Sequence, residues 1–172
     1  MHPSDDPTPP ADLLPDSGEP LELERFLPYR LSVVSNLVSK AFARRYETAF
    51  GLSIPEWRVM AVLGRYAPVS SQDISRRTAM DKAKVSRAVS RLVAAGLVDR
   101  AENASDHRRN VLTLAPRGRS IYREIVPLAR AIERDVTEAL TAEEVAQLDR
   151  LLTKLQGRAE ALAPGDAADG VD

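Results

Sequence analysis

Residues 70–118 read SSQDISRRTAMDKAKVSRAVSRLVAAGLVDRAENASDHRRNVLTLAPRG, and this stretch limits the possible folds more than any other. Ser70-Ser71-Gln72-Asp73 is a helix start, because a serine followed three residues later by a carboxylate lets each side chain bond the other's backbone amide. Ile74 is the clearest core residue of the short helix that follows. Thr78-Ala79-Met80 reads as a turn. Asp81 then caps a second helix, where its charge also suits the positive end of the helix dipole. Val85, Val89, Leu92 and Val93 recur at helical spacing and are expected to form its buried stripe, and Gly96 ends it. Residues 97–100 and 111–114 are short strands on either side of a basic loop, 101–110. Two helices joined by a tight turn and followed by a hairpin make a winged helix-turn-helix.

The flanks are helical. A first helix is expected from about Leu27, with Pro28 in its first turn where a missing N–H does no harm. Leu27, Leu31, Val34 and Val38 follow helical spacing, Leu37, Tyr46 and Phe50 widen the stripe, and Gly51 ends it. Ser53-Ile54-Pro55-Glu56 is a capping box opening a helix filled by Trp57, Val59, Met60, Val62, Leu63 and Tyr66 and stopped by Ala67-Pro68. Pro116 starts a fifth helix lined by Ile121, Ile125, Leu128, Ile132, Val136 and Leu140, with Pro127 expected to kink it. Thr141-Ala142-Glu143-Glu144 is a further capping box. The sixth helix it opens is lined by Val145, Leu148, Leu151 or Leu152, Leu155 and Leu162. The fold class is mainly α (α+β).

Length points to one domain. It is expected over 25–162, with the winged helix at 53–115 and long helices at 27–50 and 116–162. Residues 1–20 hold six of the twelve prolines and five acids, so 1–24 is expected to be a disordered acidic tail, as is 163–172. Charge is unevenly placed. Residues 1–28 carry seven acids and one base, and 120–172 eleven acids and six bases. Residues 29–69 carry six bases and two acids, and 70–119 eleven bases and five acids. A near-neutral chain with a basic middle offers a polyanion one face only.

Other chemistries find little support. The chain has no cysteine and only two histidines, His2 and His107, which argues against disulfides, thiol chemistry and a metal site. No glycine-rich phosphate loop is present and His107 has no evident catalytic partner, so an enzyme is not expected and neither is a cofactor. No apolar run reaches the length that spans a bilayer, and the N-terminus has no basic-then-apolar leader, so the expected location is the cytoplasm.

The basic middle fits double-stranded DNA. A helix fits the major groove, where Arg and Lys match guanine edges or phosphate and Ser bonds either kind of partner. The helix after Asp81 has one apolar face to anchor it, while Lys82, Lys84, Ser86, Arg87 and Arg91 lie off that face. Ser70, Ser71 and Gln72 at the preceding helix start are further candidate DNA contacts. Arg108 and Arg109 are expected at or near the tip of the hairpin loop, and a narrow minor groove attracts inserted arginine. Asp106 suits a brace for Arg108 or the loop backbone. Arg25, Arg30, Lys40, Arg44 and Arg45 are additional cations that would suit phosphate.

With these residues in place the chain resembles the MarR family of bacterial transcription regulators, over roughly residues 27–162. The most specific piece is ASDHRRNVLTLAPRG, which is similar to the family's D-x-R signature followed by a strand and a helix-starting glycine. Asp106 and Arg108 match its Asp and Arg. GLSIPEWRVMAVL and KVSRAVSRLVAAGLVDR support it. Ala115 departs from the pattern, since many members have a capping Thr there. The resemblance implies a homodimer in which the first, fifth and sixth helices interlock and hold two winged helices on one palindromic site. The wide apolar stripes of the end helices agree with that.

The resemblance also implies a transcriptional repressor that releases DNA when a small aromatic effector binds between the dimer helices and the winged helix. LPYRLSVVSN, IPEWRVMAVLGRY and TAMDKAKVSRAV look like members that respond to hydroxycinnamoyl-CoA thioesters, in keeping with aromatic compound catabolism. Tyr29, Arg30, Ser35, Asn36, Trp57 and Met60 are the candidate pocket residues: apolar walls with a few polar groups suit an aromatic ligand, and an arginine suits a carboxylate or CoA phosphate. Trp57 and Met60 read equally as ordinary core, and Arg30 as an ion-pair partner. Two other functions fit the same residues. One is an effector-independent architectural DNA-binding protein, the other a winged helix that binds protein instead of DNA.

Overall fold

The computed structural model describes residues 20–103 and 106–162, with the backbone alone described for 102, 103 and 106–110. Eight elements follow in order: α1 (Leu27–Phe50), α2 (Ile54–Tyr66), α3 (Ser71–Thr78), α4 (Lys82–Ala94), β1 (Val98–Asn103), β2 (Asp106–Leu114), α5 (Pro116–Thr137) and α6 (Ala142–Leu162). The architecture is mainly helical, with one two-stranded antiparallel sheet. Most of the two tails expected at 1–24 and 163–172 lies outside the described residues. Residues 20–24 are described, and a turn in which Phe26 N–H bonds Glu22 O at 3.0 Å leads into α1.

Where length suggests one domain, contacts divide the chain inside α1, between Lys40 and Ala41. Up to Lys40, the helix is apolar yet uncovered. Leu27, Tyr29, Leu31, Val34 and Leu37 are all exposed, and Val38 and Ser39 are half-buried.

From Ala41 onward there is a packed core. Val59, Met60 and Leu63 of α2, Ile74 of α3, Val85, Val89 and Leu92 of α4, Val98 and Leu112 of the strands and Ile125 of α5 are fully buried or nearly so. Each comes from a stripe with the period of its own element, which is why three short helices and a hairpin close on one another. Tyr46 is 1% exposed and stacks on Trp57 with ring centroids 4.9 Å apart. Its hydroxyl has no hydrogen-bond partner among the described residues, and burial pushes its pKa up to about 12. Val93, expected in the α4 stripe, is exposed, and Ala88 is buried instead. Positions 85, 88, 89 and 92 make one narrow face, and 93 falls at its margin.

The hairpin differs from expectation. The strands run on through most of the segment read as a loop, so only residues 104 and 105 separate them. Pairing holds from Val98↔Leu114 to Glu102↔Asn110, then jumps to Asn103↔Asp106. Residues 107–109 are therefore extra on β2 and form a bulge. Polar residues are weak strand formers, which hid the extension from propensity, but backbone pairing tolerates them. A second unforeseen feature is a bridge between Val69 and Leu112, with Leu112 N–H to Val69 O at 2.9 Å. It ties the α2–α3 connection to the sheet.

The start of α5 shows why a glycine sits there. A Cβ on Gly118 would lie 2.0 Å from the Leu97 carbonyl oxygen. Ala115 occupies the N-cap with no side-chain bond to give. Its own N–H reaches Leu97 O at 3.0 Å, and Arg119 donates to Leu114 O at 2.6 Å. α5 is continuous through Pro127 and ends at Thr137, so Leu140, expected on its stripe, lies beyond it. α6 opens on the Thr141–Glu144 capping box, with Thr141 N–H to Glu144 Oε2 at 2.8 Å and Glu144 N–H to Thr141 Oγ1 at 3.3 Å. None of its residues is buried. Among the described residues no helix is long and apolar enough to cross a membrane.

Candidate nucleic-acid interface

The candidate interface is built on two capped helices. The Ser70 Oγ accepts from Asp73 N–H at 3.1 Å and donates to Asp73 Oδ2 at 2.7 Å, while Ser70 N–H reaches the same oxygen at 3.2 Å. These bonds to Ser70 hold the Asp73 carboxyl below the usual aspartate range, and Arg76, with Nη2 at 2.7 Å from Oδ1, adds to the effect. α3 ends on Ala79, whose φ of 51° is left-handed. That conformation reverses the chain within one residue. The Ser75 hydroxyl bonds the Met80 carbonyl across the turn. Asp81 then caps α4 by accepting from Lys84 N–H at 2.6 Å.

This framework fixes which side of α4 is free. Val85, Ala88, Val89 and Leu92 are buried, while Lys82, Lys84, Ser86, Arg87, Ser90 and Arg91 are exposed. The candidate contacts on this helix therefore share one outward cationic side. Ser71 and Gln72 of α3 are exposed and meet Lys82 around one depression of about 310 Å³. Ser70 is half-buried, and its side chain is engaged by the cap. Lys84 sits 3.9 Å from Asp81, and Arg91 lies 3.9 Å from Glu56. Both distances are too long for direct hydrogen bonds, so these cations remain available to an anion.

Asp106, Arg108 and Arg109 lie on β2 beside the sheet's outer end, not in a loop. Arg108 and Arg109 fall within the bulge. The expected brace from Asp106 involves side chains outside those described. Of the additional cations, Arg25 pairs with Glu22 at 3.5 Å and Arg45 with Asp135 at 3.2 Å, while Arg30, Lys40 and Arg44 are exposed.

The pocket candidates divide between two parts of the chain. Tyr29, Arg30, Ser35 and Asn36 are all exposed on the first half of α1. Trp57 is half-buried against Tyr46, and Met60 is fully buried in the core. Two features were missed from the sequence. Arg76 and Arg77 are exposed on α3, with Arg77 3.9 Å above the Tyr66 ring; the double arginine in SQDISRRT was the available signal. Glu56 is 8% exposed and turns one oxygen to Ser53, at 2.8 Å from its N–H, and the other toward Arg91. Nothing in the sequence linked those two residues. Among the described residues no cluster of acidic or histidine side chains is arranged to hold a metal ion.

Residues 50–109, from the end of α1 into the wing, match the sequence profile of the MarR family. The regulator TcaR of Staphylococcus aureus is 26% identical over 136 residues, covering 78% of this chain and 89% of that protein. A MarR/EmrR family regulator from Acinetobacter sp. ADP1 superposes with a TM-score of 0.77 at 26% identity, over 83% of this chain and all of that one. The chain is similar to members of the MarR family of transcriptional regulators. BpsR of Bordetella bronchiseptica, whose DNA binding is regulated by 6-hydroxynicotinic acid, superposes with a TM-score of 0.72 at 25% identity, over 80% of this chain and 98% of that one. The family resemblance read from the wing and from the helix after Asp81 therefore holds.

Proposed function

We propose that this MarR-family DNA-binding regulator is a ligand-responsive repressor. A homodimer would hold two winged helices on a palindromic operator and release it when a small aromatic ligand binds. The observation that carries the reading is the one-sided α4, buried on one face and cationic on the other, with the wing beside it. In this reading α4 enters the major groove, where Arg87 and Lys84 reach bases or phosphates. Arg108 and Arg109 reach the adjacent minor groove from the wing, with Asp106 as a brace for Arg108 or the wing backbone. Ser71 and Gln72 sit where α3 would cross the phosphate backbone.

The dimer is supported by apolar surface that one chain leaves uncovered. Leu148, Leu151, Leu152, Leu155 and Leu162 of α6 are 40–66% exposed. Each leucine contributes roughly 1.5–3 kcal/mol when fully covered. With these five about half exposed, covering the remainder would add roughly half of that per leucine, a substantial part of the ~5–15 kcal/mol margin of a whole domain. The effector reading is supported by the ligand response of BpsR and by the resemblance of the first helices to members that respond to hydroxycinnamoyl-CoA thioesters. A ligand weakens DNA binding only by favouring a dimer whose α4 helices are wrongly spaced. A coupling of about 1–3 kcal/mol changes affinity several-fold to more than a hundredfold.

The test is a DNA-binding titration at fixed salt on the DNA upstream of the protein's own coding region, with random DNA as control, repeated with hydroxycinnamates and their CoA thioesters. Selective binding relieved by one ligand is the expected result. Equal, steeply salt-dependent binding to both DNAs would replace the repressor by an architectural protein. Specific binding that no ligand disturbs would remove the effector from the proposal.

A further inference from the structure

The end of α6 comes back to α3. Gln156 and Glu160, in the last two turns of α6, line one cleft of about 490 Å³ with Val62 and Tyr66 of α2 and Arg76 and Arg77 of α3. Both arginines are exposed but already positioned. Arg77 lies 3.9 Å above the Tyr66 ring, a cation–π contact that keeps its guanidinium against α2. Arg76 is held by Asp73 at 2.7 Å. Arg76 also borders a second depression, with Gln72, Ser75, Ala79 and Lys82. The cleft at the end of α6 is thus next to the candidate DNA contacts Gln72 and Lys82. Glu160, which accepts from Gln156 Nε2 at 2.8 Å, gives the α6 wall a carboxylate.

The ten residues that follow Leu162 are APGDAADGVD, with Asp166, Asp169 and Asp172 and no base. At roughly 3.5 Å per extended residue, a segment tethered two residues beyond Glu160 has ample reach for the cleft and for the depression beside it. We propose that residues 163–172 dock on Arg76 and Arg77, and that in this position they compete with the DNA backbone for the cationic side of α3 and α4. An ordinary surface ion pair is weak, because two long side chains must be ordered to form it. Here the arginines are ordered beforehand, the aspartates are short, and the tether holds them at an effective concentration on the order of millimolar. Competition lowers the apparent affinity for DNA by the fraction of chains whose face is free. A tail docked about two-thirds of the time weakens DNA binding about threefold. The competition rests on the DNA-binding reading of α4, whereas the docking does not.

The test reads the two separately. Because the chain has no cysteine, Gly170→Cys carries a nitroxide at one defined place. In the full chain without DNA, at low salt, the label is expected to broaden the amide signals of Gln72, Arg76 and Arg77. The broadening should disappear when Asp166, Asp169 and Asp172 are all replaced by Asn. No broadening on α3, or broadening that the Asn variant keeps, would overturn the docking. The second readout is titration of a random-sequence DNA duplex, which any phosphate-binding face holds at low salt. The Asn variant is expected to bind about threefold to tenfold more tightly than wild type, with the gain vanishing at high salt. In an Arg76→Gln, Arg77→Gln background, checked for folding by thermal unfolding, the same Asn changes should give no gain. An equal gain in both backgrounds would overturn Arg76 and Arg77 as the dock. Broadening without any gain in DNA affinity would keep the docking and overturn the competition. A wild-type chain that holds no DNA would remove the DNA-binding reading and the competition with it, while the nitroxide result still decides the docking.

Discussion

Gly118 and Ala79 show opposite ways in which one backbone position constrains a fold. At Gly118 the limit is space, because a methyl would lie 2.0 Å from the Leu97 carbonyl. Gly118→Ala must push α5 off the hairpin and is expected to cost about 1–3 kcal/mol, as overpacked cores do, read as a lowered urea midpoint. At Ala79 the limit is conformation. A non-glycine residue in the left-handed region carries roughly 1–2 kcal/mol of strain, which glycine avoids while losing about 0.5–1 kcal/mol to its freer unfolded chain. Ala79→Gly should therefore stabilise by up to about 1 kcal/mol, read the same way; a lowered midpoint would mean that the methyl packs. The glycine at the α5 start was legible as part of a motif, but its reason was not, since the obstructing atom belongs to Leu97, distant in sequence. Ala79 gave no signal at all, because a turn can be read from its neighbours without revealing which residue carries positive φ.

At the scale of elements, the caps were the most legible features, because they depend on neighbours three residues apart. The Ser70–Asp73 pair predicts a pH dependence. Its folded pKa lies below the unfolded one, so Asp73 contributes fully above the ordinary aspartate range, and that contribution is lost as pH falls through the lowered value. Ser70→Ala should cost about 1 kcal/mol at neutral pH and flatten the acid side of a stability–pH profile. An unchanged acid limb would mean that Asp73 does not depend on Ser70. For α4, Arg87→Ala is expected to weaken operator binding by about 1–3 kcal/mol. The slope of log affinity against log salt tells what was lost: a slope smaller by about 1 marks a phosphate contact, and an unchanged slope marks a base contact. The strands were the least legible elements. Polar residues 102–103 and 106–110 resemble a loop by composition, and the backbone ladder that recruits them leaves no period in the side chains.

At the scale of the whole molecule, the apolar stripes of α1 and α6 were readable from spacing, whereas their exposure among the described residues was not. A stripe shows that burial is needed without naming the surface that provides it. If that surface is a second copy, replacing Leu151 and Leu155 by Asp should give a monomer in sedimentation velocity. Its winged helix would still unfold cooperatively, and its operator affinity would fall toward that of a single half-site. A double variant that sediments like wild type would place the dimer contact elsewhere.

The bridge from Val69 to Leu112 bears on how such a molecule can be switched. The hairpin is stitched at one side to the segment entering α3, and at its base, through Leu97, to the start of α5. Wing and reading helix are therefore parts of one stiff lever whose internal angle is set when the chain folds. A signal arriving from elsewhere meets a hairpin already held at its base and along one side. In the proposed dimer, what it can alter is where each lever is mounted, so regulation becomes a question of gauge: whether two rigid heads match the pitch of the groove.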